Sequence, residues 1–217
     1  MPHFPDWVSD LKGKKLLFLG PAPTKDKKDL DVNVFDYVII TNNAITTFFA
    51  RYRPNSTTRV IAFVNRLYSN THPDRIRQHA QGVAHWLSVH SPSDDALRLL
   101  ANAARVKSED IGCVGGGHSL GLNKVLKWLK ASNAMHSELH ITGATFYREG
   151  AYSRNIHACY EPEYIIPLGL VYNIFGRDTH HNIPKEANIT RSLVVTDPRV
   201  SLCVELAEVL RLPSRIR

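Results

Sequence analysis

Short apolar runs that stop abruptly at Gly, Pro, Asn or a polar turn set the tightest limit on how this chain can fold. "KLLFLG" (Lys15 to Gly20), "DYVIITNN" (Asp36 to Asn43), "TRVIAFVN" (Thr58 to Asn65), "AHWLSVH" (Ala84 to His90), "ELHITG" (Glu138 to Gly143) and "SLVVTD" (Ser192 to Asp197) all read as buried strands. Helical patterns separate them. "SPSDDALRLLANAARV" (Ser91 to Val106) offers Ser91 or Ser93 as a cap. "GHSLGLNKVLKWLKAS" (Gly117 to Ser132) sets Leu120, Val125, Leu126 and Leu129 at helical spacing, and "PRVSLCVELAEVLR" (Pro198 to Arg211) reads as a closing helix with Pro198 at its start. This alternation predicts a single α/β domain over residues 1–217, Rossmann-like, with a mainly parallel sheet. The weakly periodic stretch 153–191, rich in His and Tyr, reads as an irregular lid.

Composition narrows the setting. No apolar run reaches the roughly 18 residues of a membrane span, and "MPHFPDWVSDLKGKK" lacks the apolar stretch of a secretory signal. A cytoplasmic location is therefore expected. Cys113, Cys159 and Cys203 are odd in number and far apart, which fits a reducing compartment and argues against a disulfide framework or a thiolate metal site. The net charge of +7 suits a polyanion, whether nucleic acid, an anionic membrane surface or a sugar nucleotide. Only Lys25, Lys27 and Lys28 cluster, and a solvated basic face explains them equally well. Zinc-finger spacing and an RNP-type aromatic motif are both absent, which counts against nucleic acid.

The strand ends carry the chemistry. "FLGPAPT", "ITNNA" and "FVNRLY" each leave a strand through Asn or Gly. Such residues simply make turns in most proteins, but Asn also reads donors and acceptors on a base or ribose, and Gly lets backbone approach a phosphate. "VGGGHSLG" places Gly116, Gly117, His118 and Ser119 at a predicted helix start, where N–H groups favour an anion. It lacks the lysine of a P-loop and the acidic residue of a dinucleotide fingerprint. "ITGATFYREGAY" then presents Thr142, Gly143, Tyr147, Arg148 and Tyr152 beyond a strand, a set suited to an anionic ligand.

Two other chemistries fit less well. "HSELH", "THHNI" and "HPDRIRQH" pair some of the 11 histidines, but none supplies a third ligand at metal spacing, so no metal is expected. "GHSLG" has the G-x-S-x-G form of a hydrolase elbow, yet no clear strand precedes it.

Over residues 15–200 the order of these motifs resembles the bacterial sialyltransferases that act on lipo-oligosaccharide, and more distantly animal sialyltransferases and bacterial Kdo transferases. "LGPAPT" (Gly20 to Thr24) stands where the bacterial group has G-N-G-P-S, Asn42 and Asn65 stand at its Asn-bearing strand ends, "GHSLG" at its T-S-G helix start, and "ITGATFY" at its L-S-G-x-D-F-Y segment. Pro21 replaces the Asn of the first motif and Thr145 the Asp of the last.

The resemblance implies a metal- and cofactor-independent inverting glycosyltransferase that uses CMP-sialic acid or CMP-Kdo and a glycan acceptor, lipid-linked in lipopolysaccharide biosynthesis. Peripheral contact with an anionic inner membrane face is then expected from the charge. It further implies nucleotide contacts from Gly20, Thr24, Asn42, Asn65, Gly117, His118, Ser119, Thr142 and Gly143, phosphate contacts from Tyr147 and Tyr152, and a histidine base. His181 stands five residues before Glu186, the H-x-x-x-x-E spacing of the animal enzymes, with His180 and His157 as alternatives. The rival reading is a non-catalytic anion- or RNA-binding α/β domain.

Overall fold

Near-continuous apolar runs suit strands covered on both faces, the situation of a parallel sheet. The computed structural model has that architecture. It describes residues 4–22, 24–42, 44–65, 73–89, 104–106, 121–144 and 183–213. Among these, β1 (Lys15–Leu19), β2 (Tyr37–Thr41), β3 (Arg59–Asn65), β4 (His85–Val89), β5 (Ala104–Val106), β6 (Glu138–Thr142) and β7 (Val200–Leu202) form one sheet in the order β5-β4-β3-β2-β1-β6-β7. Every pairing is parallel, with Leu19 opposite Ile40 on one side and Thr142 on the other. The result is a Rossmann-like α/β fold. Strand order runs outward from β1 to β5, then reverses across β1 to β6, and ligands of such sheets sit at the carboxyl side of that reversal.

Alternation along the strands divides the core. Leu16, Phe18, Tyr37, Ile39, Ile61 and Phe63 face one layer, built from a 3-10 helix (Asp6–Leu11), α3 (Gly121–Ala131), α4 (Ile183–Val195) and α5 (Val204–Leu210). Leu17, Leu19, Val38, Ile40, Val60 and Ala62 face the other, where α1 (Ala44–Arg51) contributes Ala44, Ile45 and Phe48, and α2 (Pro73–His79) contributes Ile76. In α3 the residues Leu122, Val125, Leu126 and Leu129 make the apolar stripe. Asn133, at φ 51°, takes the left-handed position after the helix and lets the Ala134 N–H reach the Leu129 carbonyl at 3.1 Å.

The last third of the chain departs from the expected elements. Ser192 to Asp197 is not a strand: Ser192 to Val195 close α4, with Thr190 and Val194 buried four residues apart and Val195 exposed. The strand follows as Val200–Leu202, and the closing helix starts at Val204, not at Pro198, which lies in the turn between α4 and β7. A three-residue apolar run serves a helix or a strand equally, and packing against α3 decides here for helix. The expected lid is shortened for the same reason, since residues 183–191 belong to α4 and 153–182 lie outside the described residues. Ala104–Val106, read as the end of a helix, forms β5. No helix among the described residues is long and apolar enough to cross a membrane.

Trp128 of α3 is fully buried, with its ring edge-on to Phe63 at 5.3 Å, and its indole N–H has no hydrogen-bond partner. Trp128→Ala should therefore cost about 3–5 kcal/mol in urea unfolding. Trp128→Phe should cost markedly less, because no hydrogen bond is lost with the N–H.

Candidate functional site at the strand-order reversal

The backbones leaving β1 and β6 meet at the carboxyl edge. The Gly20 N–H bonds to the Thr142 carbonyl at 2.9 Å and the Ala22 N–H to the Gly143 carbonyl at 2.8 Å, extending the ladder past both strand ends. A Cβ on Gly20 would stand 2.1 Å from the Gly143 oxygen, and Gly143 holds φ at +70°. Among the described residues, each glycine gives up its side chain to the other's backbone.

A polar network covers this junction. Thr142 is fully buried and its hydroxyl has one proton. The Asp26 carboxylate can only accept, so Thr142 donates to Asp26 at 2.8 Å and receives the Thr24 hydroxyl at 2.8 Å. By the same reasoning His140 presents its Nε2 hydrogen to Asp26 at 3.3 Å, and in the neutral ring Nδ1 accepts from Ser201 at 2.9 Å. Burial pushes the Asp26 carboxyl up, but the hydrogen bonds it accepts, His140's first and then Thr142's, outweigh it and hold it below the usual carboxylate range. Ser201 is buried on β7, so this Asp-His-Ser arrangement fastens β6 and β7 to the loop instead of exposing a nucleophile.

Lys27 fills the space beneath. Its ammonium donates to the carbonyls of Gly20 at 2.6 Å and Ala22 at 2.7 Å. Burial, with the charge of Arg51, brings its pKa down to about 8 against the attraction of Asp26 and Cys203. Carboxylate oxygens of Asp26 and Glu205 and the sulfur of Cys203 lie within 4.8 Å of one another. Those groups already have partners: Glu205 accepts the Lys25 N–H, and burial pushes the Cys203 thiol up to about 11.

One strand away, Asn42 sits at the end of β2 at φ 42°, turning the chain into α1, and its N–H reaches the Phe63 carbonyl of β3 at 2.9 Å. The backbone of Asn65 ends β3; its side chain is not described. On the other face of the sheet α3 begins against β2, where a Cβ on Gly121 would meet the Thr41 side chain at 3.0 Å. The start of α4 is tied to the start of α3 by a buried set: Asn123 donates to the Glu186 carboxylate at 2.6 Å and its carbonyl at 2.9 Å, and Thr190 donates to Asn123 at 2.5 Å.

The structure thus gathers Gly20, Thr24, Thr142 and Gly143 into one contact group, with Asn42 on the neighbouring strand. Gly117, His118, Ser119, Tyr147, Tyr152 and His181, with Gly116, Arg148, His157 and His180, lie outside the described residues. Asp26, Lys27, His140 and Ser201 were not foreseen as site residues. Alternation along "ELHIT" does put His140 and Thr142 on one face, but the return of residues 24–28 over that face is a tertiary event. A cavity of about 400 Å³ opens at the opposite end of the sheet, beside His136, Asp197 and Arg199, and collects none of the expected residues.

Two tests follow from this packing. Gly20→Ala should destabilise by about 1–3 kcal/mol or more, because the added methyl meets backbone that cannot yield; thermal unfolding measures it. For Lys27, whose pKa of about 8 is below its ordinary value, the unfolded chain binds the extra proton between about pH 8 and the ordinary lysine range. Stability gained from this residue therefore rises with pH across that window. Urea unfolding at pH 7 and pH 10 should show wild type gaining on Lys27→Met, whereas a constant difference would contradict the assignment.

In comparison with known proteins, the chain matches no family model, no curated protein and no solved structure, so its chemistry has to be read from its own residues.

Proposed function

We propose that this chain is a metal-independent inverting glycosyltransferase that moves sialic acid or a related ulosonic acid from a CMP-activated donor to a glycan hydroxyl. One observation carries the reading. Residues that the motif order assigns to the nucleotide, from stretches more than a hundred positions apart, meet at the carboxyl edge where strand order reverses. The N-terminal end of α3, which follows the Gly117-His118-Ser119 stretch, abuts that edge beside Thr41, and the positive end of its dipole favours an anion. The helix that His181 leads into is held to α3 at its first turn through Glu186 and Asn123.

The chemistry asks little of such a site. The donor's leaving phosphate departs from a quaternary carbon beside a carboxylate, so cleavage yields an oxocarbenium-like centre. The protein has to steady the departing CMP phosphate and remove the acceptor's proton. In this reading Tyr147 and Tyr152 donate to the phosphate as its charge grows, and His181 takes the proton, a step worth about 100- to 10,000-fold. The acceptor is a glycan, lipid-linked in the lipopolysaccharide pathway of the resembled enzymes, and the net charge of +7 suits contact with an anionic leaflet.

Calorimetry with CMP, with and without chelator, tests the reading. Millimolar or tighter binding that the chelator leaves unchanged is expected, together with hydrolysis of CMP-sialic acid or CMP-Kdo in a donor screen. Preferential RNA binding with a steep salt slope would instead support a nucleic-acid-binding domain. His181→Ala should abolish transfer while CMP still binds; transfer at the normal rate would move the base to His180 or His157.

A further inference from the structure

Lys27 is a buried positive charge with no direct ion pair among the described residues. Its side chain follows the β1 turn back into the junction, the residue is 9% exposed, and its ammonium packs so closely on Gly143 that a Cβ there would lie 2.6 Å away. Lysine is almost never this buried unless paired. Here its hydrogen bonds go to two neutral carbonyls, those of Gly20 and Ala22, and no described carboxylate comes within ion-pair reach of it.

The neighbouring charges offset that burial only in part. Asp26, next in sequence, attracts the ammonium, but its oxygens are held by Thr142 and His140 and make no direct ion pair with it. Cys203 remains a neutral thiol at physiological pH. Arg51 adds a second positive charge, donating to the Lys27 carbonyl oxygen at 2.8 Å. A buried ammonium without a direct ion pair is costly to a fold, and two carbonyl bonds could be made more cheaply by an uncharged donor. Its place gives the cost a use: it touches Gly20 and Gly143, the residues that follow β1 and β6, where the strand order reverses. Among the described residues, the ammonium's three N–H groups have two hydrogen-bond acceptors.

We propose that the direct ion-pair partner of Lys27 is the anion of the ligand, and that Lys27 is the specificity-determining charge that makes this edge prefer a nucleoside monophosphate over the bare nucleoside. The proposal rests on the transferase reading above and adds to it a residue that the motif order does not assign. Lys27 supplies fixed charge to the leaving phosphate from below, where a merely structural lysine would only pin the turn.

The test compares CMP, cytidine and inorganic phosphate by calorimetry on the full chain. Wild type should bind CMP at least about tenfold more tightly than cytidine, as expected for a charge-assisted contact. Lys27→Gln, which keeps donors for the two carbonyls, and Lys27→Met, which keeps the length, should each lose that preference while cytidine affinity stays within about twofold. Lys27→Arg should keep it. Whichever neutral variant folds carries the comparison. Equal binding of CMP and cytidine by wild type overturns the inference with the nucleotide reading intact, and so does a neutral variant that keeps the preference. Binding of neither CMP nor cytidine overturns the transferase reading itself. Inorganic phosphate bound as tightly as CMP, and lost in the neutral variants, upholds the lysine's charge but removes the nucleotide from the site.

Discussion

The meeting of Gly20 with Gly143 is the constraint on which the rest of this structure turns. Two parallel strands can diverge after their last ladder bond, but here β1 and β6 stay in register past their ends, through the bonds Gly20 to Thr142 and Ala22 to Gly143. Neither position has room for a side chain. That closeness fixes the departure of both loops, brings residues 24–28 back over β6, and leaves a gap that only a long thin side chain can enter. Lys27 occupies it.

Around that junction, polar groups do what apolar packing does elsewhere. The two sheet faces are covered by helices over most of their area, but over β6 and β7 the second face carries His140, Thr142 and Ser201, with Asp26 above them. A buried polar network of this kind holds only when its members find partners. The chain of donors from Thr24 through Thr142 to Asp26, and from Ser201 through His140 to Asp26, is satisfied within the fold. It ties Thr24 and Asp26 of the β1 loop to the sheet. On the opposite face the Asn123–Glu186–Thr190 set joins α3 to α4 in the same way, and both helices begin at that edge.

Much of this was legible in the residues alone. The runs at Lys15, Tyr37, Arg59, His85 and Glu138 are short, apolar and sharply ended, and hydrophobic burial on both faces leaves such runs few alternatives to parallel strands. The α3 stripe at Val125, Leu126 and Leu129 is equally plain, since helical spacing with a glycine run before it has one natural reading; Leu120, expected with them, lies outside the described residues, and Leu122 takes the place on that face. Gly20, Thr24, Thr142 and Gly143 stood out as strand-end residues for the same reason: the end of a buried strand is where the chain must change chemistry. The final βα unit was not legible, because "SLVV" carries no period of its own and its state depends on which neighbour it packs against.

Local pattern thus determined the sheet, its parallel sense and the edge at which chemistry can occur, because burial and backbone geometry act within a few residues. The tertiary structure alone decided what surrounds that edge. "TKDKKD" reads as a solvated charge run, since nothing within it distinguishes Lys27 from Lys25 or Lys28. Lys27 is buried only because two backbones more than a hundred residues apart meet and leave a gap of its shape. His140 and Asp26 become partners through the same long-range event, which no periodicity encodes.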